Sequence, residues 1–245
     1  MIWALGKLNK VINSGSSSGN LQQFNANLPI GISVLKQIDP LRYKLLFGKR
    51  EITTKSQKRL EVGGHYWGEF GEGKEGVLLI SNLEKKPDIF DDDAHFLDLE
   101  FELFEDIFKT KEQPIQLFKS FILSKMAEST TNQNAFMVCE NILLSLNKSI
   151  ISLPLLQDGR KTLFQFHIDS QSVVFYMAFE NLGPVEGIIS FENDIFKTTL
   201  AVKFEKTLFW MKKELKNLNI DSSLSLKSKI CPLYEIKKAL LDVKG

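Results

Sequence analysis

The residues of this chain that could do chemistry are few, and their spacing argues against most of it. Three histidines, His65, His95 and His167, fall in separate segments, and two cysteines, Cys139 and Cys231, lie far apart. Neither H-E-x-x-H nor paired C-x-x-C occurs, so a zinc site would have to be assembled wholly by the fold. Asp91, Asp92 and Asp93 beside His95 form a cluster of carboxylates and imidazole. A helix start whose dipole the acids complement is the simpler reading, and no calcium-loop spacing surrounds them. Gly15-Ser16-Ser17-Ser18-Gly19 matches G-x-S-x-G, but a nucleophile elbow needs a strand before it and a helix after, and the flanks here are polar. Gly71, Gly73 and Gly76 spell G-x-G-x-x-G, yet the β-like run 77–80 follows where a dinucleotide site needs a helix N-terminus. A hairpin turn is expected instead. These residues point to a non-enzymatic protein with no catalytic residues, no metal and no cofactor.

Charge and stacking suggest a different chemistry at one place. Between positions 41 and 60, Arg42, Lys44, Lys49, Arg50, Lys55, Lys58 and Arg59 face a single acid, Glu51. Tyr43, Phe47, Tyr66 and Trp67 lie close by in sequence. On a small barrel this combination could neutralise and stack single-stranded nucleic acid. The same aromatics could equally fill the barrel core, and the acidic stretch 88–112 could answer the basic patch from within the molecule. Nucleic-acid binding therefore stands as the alternative, as does a cytoplasmic interaction scaffold, and not as the expectation.

The elements that must position these residues follow from patterning. In 245 residues, 43% are hydrophobic and 25% charged, the balance of an ordinary folded protein. Thirty-one basic against thirty acidic residues leave +1, so no global field selects an anionic partner. Unpaired cysteine usage suggests a reducing compartment, hence a cytoplasmic location. The run MIWALGKLNKVI is short and broken by Lys7 and Lys10, so neither membrane insertion nor a secretory signal is expected. Residues 1–27 read as a flexible segment, whose polar part, 13–27, would span at most about 50 Å. Residues 28–87 read as a small β-barrel of five short strands. Residues 88–150 read as a helical domain: a helix capped by Asp91–93 and running through Phe104 and Phe108, a second from Pro114, and a third from about Asn134 to Leu146. Residues 151–245 read as an α/β domain of mostly antiparallel strands. Its helix carries Phe204, Leu208, Met211, Leu215 and Leu218 at spacings of about 4, 3, 4 and 3, which place them on one face. A short helix from Leu233 is expected to close the chain. The fold class is α+β: an N-terminal barrel, a central helical bundle, and a C-terminal sandwich of sheet and amphipathic helix.

Residues 173–227 resemble the C-terminal domain of the flagellar hook-length control (FliK-like) family. The strand VVFYMAF precedes Glu180-Asn181-Leu182-Gly183, then come VEGIIS, IFKTTLAVKF, a helix ending KKELKNLNI and the strand SSLSLKS. The family's loop is built around Pro-Glu-x-Leu-Gly; here Phe179 stands in place of Pro, and Pro184 is inserted after Gly183. The resemblance implies a protein associated with flagellar type III export, binding the cytoplasmic part of the export gate to influence the switch from hook to filament substrates. It implies Glu180, Leu182, Gly183 and Glu186 as partner contacts, no covalent chemistry, and a cytoplasmic location with export through the same apparatus as the alternative. The tether at 13–27 is too short to serve as a stretched ruler.

Overall fold

The computed structural model describes residues 28–236 apart from 57, 73–77, 92–95, 98–100, 110–112, 130, 158, 193–194 and 218–221. The first sheet contains β1 (Ile30–Gln37), β2 (Arg42–Phe47), β3 (Arg50–Lys55), β4 (His65–Glu72) and β5 (Leu78–Lys85), antiparallel in the order β3-β2-β1-β4-β5. Turn chemistry joins them. The Asp39 carboxylate accepts from the Leu41 and Arg42 amides at 3.0 and 2.8 Å, and Gly48 takes φ +55° between β2 and β3. β4 and β5 pair as a hairpin, so Gly71 lies in a strand; Gly73 and Gly76 lie outside the described residues.

The expected barrel is not closed among the described residues: β3 and β5 are edges and do not pair with each other. The connection between β3 and β4 covers the sheet's inner face instead. Leu60 is buried there with Ile32, Val34, Tyr43, Leu45 and Tyr66. Its amide donates to the Tyr43 hydroxyl at 3.3 Å, and the Glu61 amide donates to the Tyr66 hydroxyl at 3.0 Å. Both phenols thus have partners while their rings fill the core, which is what buried tyrosines require. Alternation along the strands sends Gly31, Ser33, His65 and Trp67 to the opposite face.

That opposite face meets a second sheet. It is built from β6 (Ile151–Gln157), β7 (Arg160–Ile168), β8 (Ser172–Phe179), β9 (Gly183–Glu192), β10 (Ile195–Val202) and β11 (Ser222–Leu226). Its order is β11-β10-β9-β8-β7-β6, antiparallel except that β11 runs parallel to β10. A parallel neighbour needs a crossover, and the helix Glu205–Asn217 supplies it. Three further helices, α1 (Phe101–Lys109), α2 (Pro114–Glu128) and α3 (Gln133–Leu146), precede β6, making the crossover helix α4. Phe104, Phe118, Ile122 and Ile142 share one core with Leu153, Phe166 and Phe175 of the strands. The helices are therefore a layer on this sheet and not a bundle around a core of their own. Met211 and Leu215 of α4 enter the same core, with Leu208 half-buried beside them, as the stripe predicts; Leu218 lies outside the described residues.

Two local expectations fail for tertiary reasons. The acids at Asp91–93 were expected to open a helix, but Asp88–Asp91 is a single 3-10 turn. Leu97 is extended, its amide donating to Pro154 O and its carbonyl accepting from the Leu156 amide, both at 2.8 Å. Pairing beside β6 holds this stretch out of the helix, which begins at Phe101. The helices at Pro114 and Gln133 begin where their signals place them, with Asn132 accepting from the Ala135 amide at 3.2 Å. Residues 233–236 are irregular and not helical. Gln165 holds them, donating to Tyr234 O at 2.7 Å and accepting from its amide at 3.1 Å. Residues 1–27, with the G-x-S-x-G match, lie outside the described residues, as do Asp92, Asp93 and His95.

Candidate functional site

The loop that carries the resemblance lies at the junction of the two sheets. Phe179 pairs with Gly183 across it, and Gly183 takes φ +78°. A Cβ at Gly183 would fall under 3 Å from the buried Phe204 ring, so the position requires glycine twice over. Leu182 is buried, and its carbonyl accepts from the buried Thr207 hydroxyl at 2.7 Å at the start of α4. The Trp67 indole N–H, reaching across from the first sheet, is shared between Phe179 O at 2.9 Å and Glu180 O at 3.0 Å. Glu180 and Glu186 are half-buried, the latter ion-paired with Lys227. Of the four expected contacts, Leu182 and Gly183 thus build the fold, and the two glutamates keep partly exposed carboxylates.

The basic patch is dispersed. Arg42 pairs with Asp39 and Lys44 with Glu51, while Lys49, Arg50, Lys58 and Arg59 are exposed. Tyr43, Phe47, Tyr66 and Trp67 are all buried, so none of them offers a face for a base to stack on.

Sequence reading missed an apolar arm. The first residue of β8, Ser172, pairs with Ser190, and the first residue of β11, Ser222, pairs with Thr198. The β9–β10 hairpin therefore runs past both of its neighbours. There Phe191 and Phe196 stand opposite each other, ring centroids 4.8 Å apart and 39% and 44% exposed. Ile195 and Ile188, 58% and 45% exposed, occupy the reverse face. Alternating apolar residues on a strand read as core; only the register reveals that nothing described covers this end.

A cavity of about 530 Å³ lies between the sheets. Gly31, Ser33 and His65 line it from the first sheet, Lys86 and Phe90 from the segment after β5, and Lys161 from β7. Ser33 and His65 are cross-strand partners, with Oγ 2.9 Å from Nδ1, and His65 Nε2 is 3.7 Å from Asp91 Oδ1. The order serine, imidazole, carboxylate resembles a nucleophile relay, but 3.7 Å is an ion-pair separation and not the hydrogen bond that orients a general base. Lys86 is 7% exposed. Its ammonium donates to Glu180 O at 3.3 Å and sits 5.6 and 5.7 Å from the Trp67 and Phe90 ring centres. Burial, chiefly, lowers its pKa to about 8; Glu180 opposes that shift and Lys161 adds to it.

Among the described residues, no three His, Cys, Asp or Glu side chains gather in a metal-holding arrangement, and no helix is long and apolar enough to cross a membrane. No family model, curated protein or solved structure matches the chain.

Proposed function

We propose that this chain is a non-enzymatic protein-binding component of the flagellar type III export system, FliK-like in residues 173–227, which engages the cytoplasmic part of the export gate and influences hook-to-filament substrate switching. The observation that carries the protein-binding reading is the β9–β10 arm, which exposes large apolar side chains on both faces in the segment that bears the resemblance. Clustered exposed apolar side chains mark interaction sites on soluble proteins. The order of elements from β8 through the 180–183 loop, β9, β10, α4 and β11 further supports the reading, because it is the order the resemblance implies. Glu180 and Glu186 supply a polar margin nearer the loop, while Leu182 and Gly183 shape the turn that holds them.

Aromatic anchors at an interface each contribute about 2 kcal/mol or more. Phe191→Ser combined with Phe196→Ser should weaken binding to the isolated cytoplasmic domain of the export gate by several hundredfold in a calorimetric titration, with the thermal midpoint within a few degrees of the parent. Both side chains lie on the surface, 39% and 44% exposed and packed on each other, so removing the pair together opens no enclosed cavity. Affinity that survives the double substitution would reject the arm as the contact surface.

A further inference from the structure

We propose that the cavity between the two sheets is a binding site for a singly charged organic anion, a carboxylate on an apolar body, whose head is held by Lys86. This goes beyond the proposed partner binding and does not depend on it.

Lys86 projects an ammonium with three N–H donors into a place from which water is largely excluded, where the Glu180 carbonyl, 3.3 Å away, accepts from it. A buried cation keeps such a position at a cost in stability unless something completes its shell. The surroundings fit an anion at that point. A Cβ on Gly31 would lie 3.1 Å from Lys86 Nζ, so glycine there leaves open the space beside the ammonium. Lys161, whose Nζ donates to Phe90 O at 3.0 Å, lines the same cavity, and the Ser33 hydroxyl and His65 add polar groups.

Charge sets the ligand's valence. Two carboxylates, Glu180 and Asp91, share the wall with the two lysines, so there is no cationic excess to hold a di- or trianion. A single carboxylate, held by direct contact with the Lys86 ammonium and not by a net field, is the largest charge such a wall admits. Leu28, Pro29, Ile30 and Leu46 make the remaining wall apolar, which selects a hydrocarbon or aromatic body over a polyhydroxylated one.

The pH dependence follows in sign. With Lys86 titrating near 8, roughly nine-tenths of it is ammonium at pH 7, and a bound carboxylate favours that form. Affinity should be level below pH 8 and fall above it, approaching tenfold per pH unit. Glu180, Asp91, His65 and Lys161 face the same space. Lys161 is the other amine among them, and its substitution separates the two.

The test is isothermal titration of the full chain with decanoate from pH 6.5 to 9.5, with decanol as the uncharged control. Saturable one-to-one binding of decanoate, at least tenfold weaker binding of decanol, and the fall above pH 8 are expected. Lys86→Met should lose at least tenfold in decanoate affinity without a lower melting temperature, and Lys161→Gln should retain the pH step. Absence of saturable decanoate binding, equal binding of decanol, a flat pH profile in the parent protein, or a pH step lost in Lys161→Gln would each overturn the proposal. The pH series on the parent protein needs no variant, so it decides the matter even if Lys86→Met fails to fold.

Discussion

Gly187→Ala should destabilise the protein by about 4 kcal/mol, a large share of the roughly 5–15 kcal/mol that holds a domain folded. Gly187 sits mid-strand in β9, opposite Phe175 on one side and Leu200 on the other. An added Cβ would lie under 3 Å from Phe175 Cζ and 2.7 Å from the Thr199 carbonyl oxygen. Phe175 is 1% exposed and locked in the main core, and the carbonyl belongs to the sheet's own backbone, so neither can give way cheaply. Gly63→Ala is the matching control. Gly63 has φ +82° but open space around its Cβ direction, so its cost is the backbone term alone, about 1 kcal/mol. Urea denaturation of the two variants side by side measures the difference; similar midpoints would show that the register of β8, β9 and β10 is wrong.

Trp67→Ala should cost about 3–5 kcal/mol and lower the melting temperature by on the order of 10 °C. The indole is 1% exposed, meets the Phe90 ring edge-on at 5.9 Å, and makes hydrogen bonds that join β4 to the loop between β8 and β9. Other described side chains also tie the layers together. Glu69 is one, its carboxylate accepting from the Asn82 side chain at 2.6 Å and from the Lys206 amide of α4 at 3.4 Å. Lys203 is another, pairing with Glu84 at 3.1 Å. Loss of Trp67 leaves a void where the layers meet and frees two carbonyls from their indole donor. Hydrogen exchange should therefore rise selectively in β1, β4 and the 180–183 loop, while β6 and β7 keep their protection. Uniform loss of protection, or none, would contradict the view of Trp67 as the joint between two layers.

Much of the scaffold is legible in the sequence because each signal is local. The α4 stripe, Pro114 at a helix start and the strands VVFYMAF, VEGIIS and IFKTTLAVKF are all set by short-range periodicity and turn chemistry, and the structure places them within a few residues of expectation. What the elements face is not local. The phenylalanines of α1 and α2 read as a bundle seam because amphipathicity says that a face is buried and not against what; here Phe104 of α1 meets both Phe118 of α2 and Phe166 of β7. Leu97 looked helical because its neighbours are apolar, and a strand beside it decided otherwise. Lys86 follows Glu84 and Lys85 in a run that reads as a solvated charge cluster. Lys85 behaves that way, bridging Glu61 and Asp88 at 2.6 and 3.1 Å, while the next side chain turns into the cavity. The candidate loop shows the converse. Its glycine and leucine are fixed by packing on Phe204 and Thr207, so a motif that resembles a binding site is in large part a device for joining strands.

The proposed role in export switching makes a prediction for hook length in a strain lacking this gene. Electron microscopy of purified hook–basal bodies should show overlong hooks without filaments, and a gene copy carrying Phe191→Ser and Phe196→Ser should fail to restore normal length. Hooks of ordinary length bearing filaments in the deletion strain would contradict the claim.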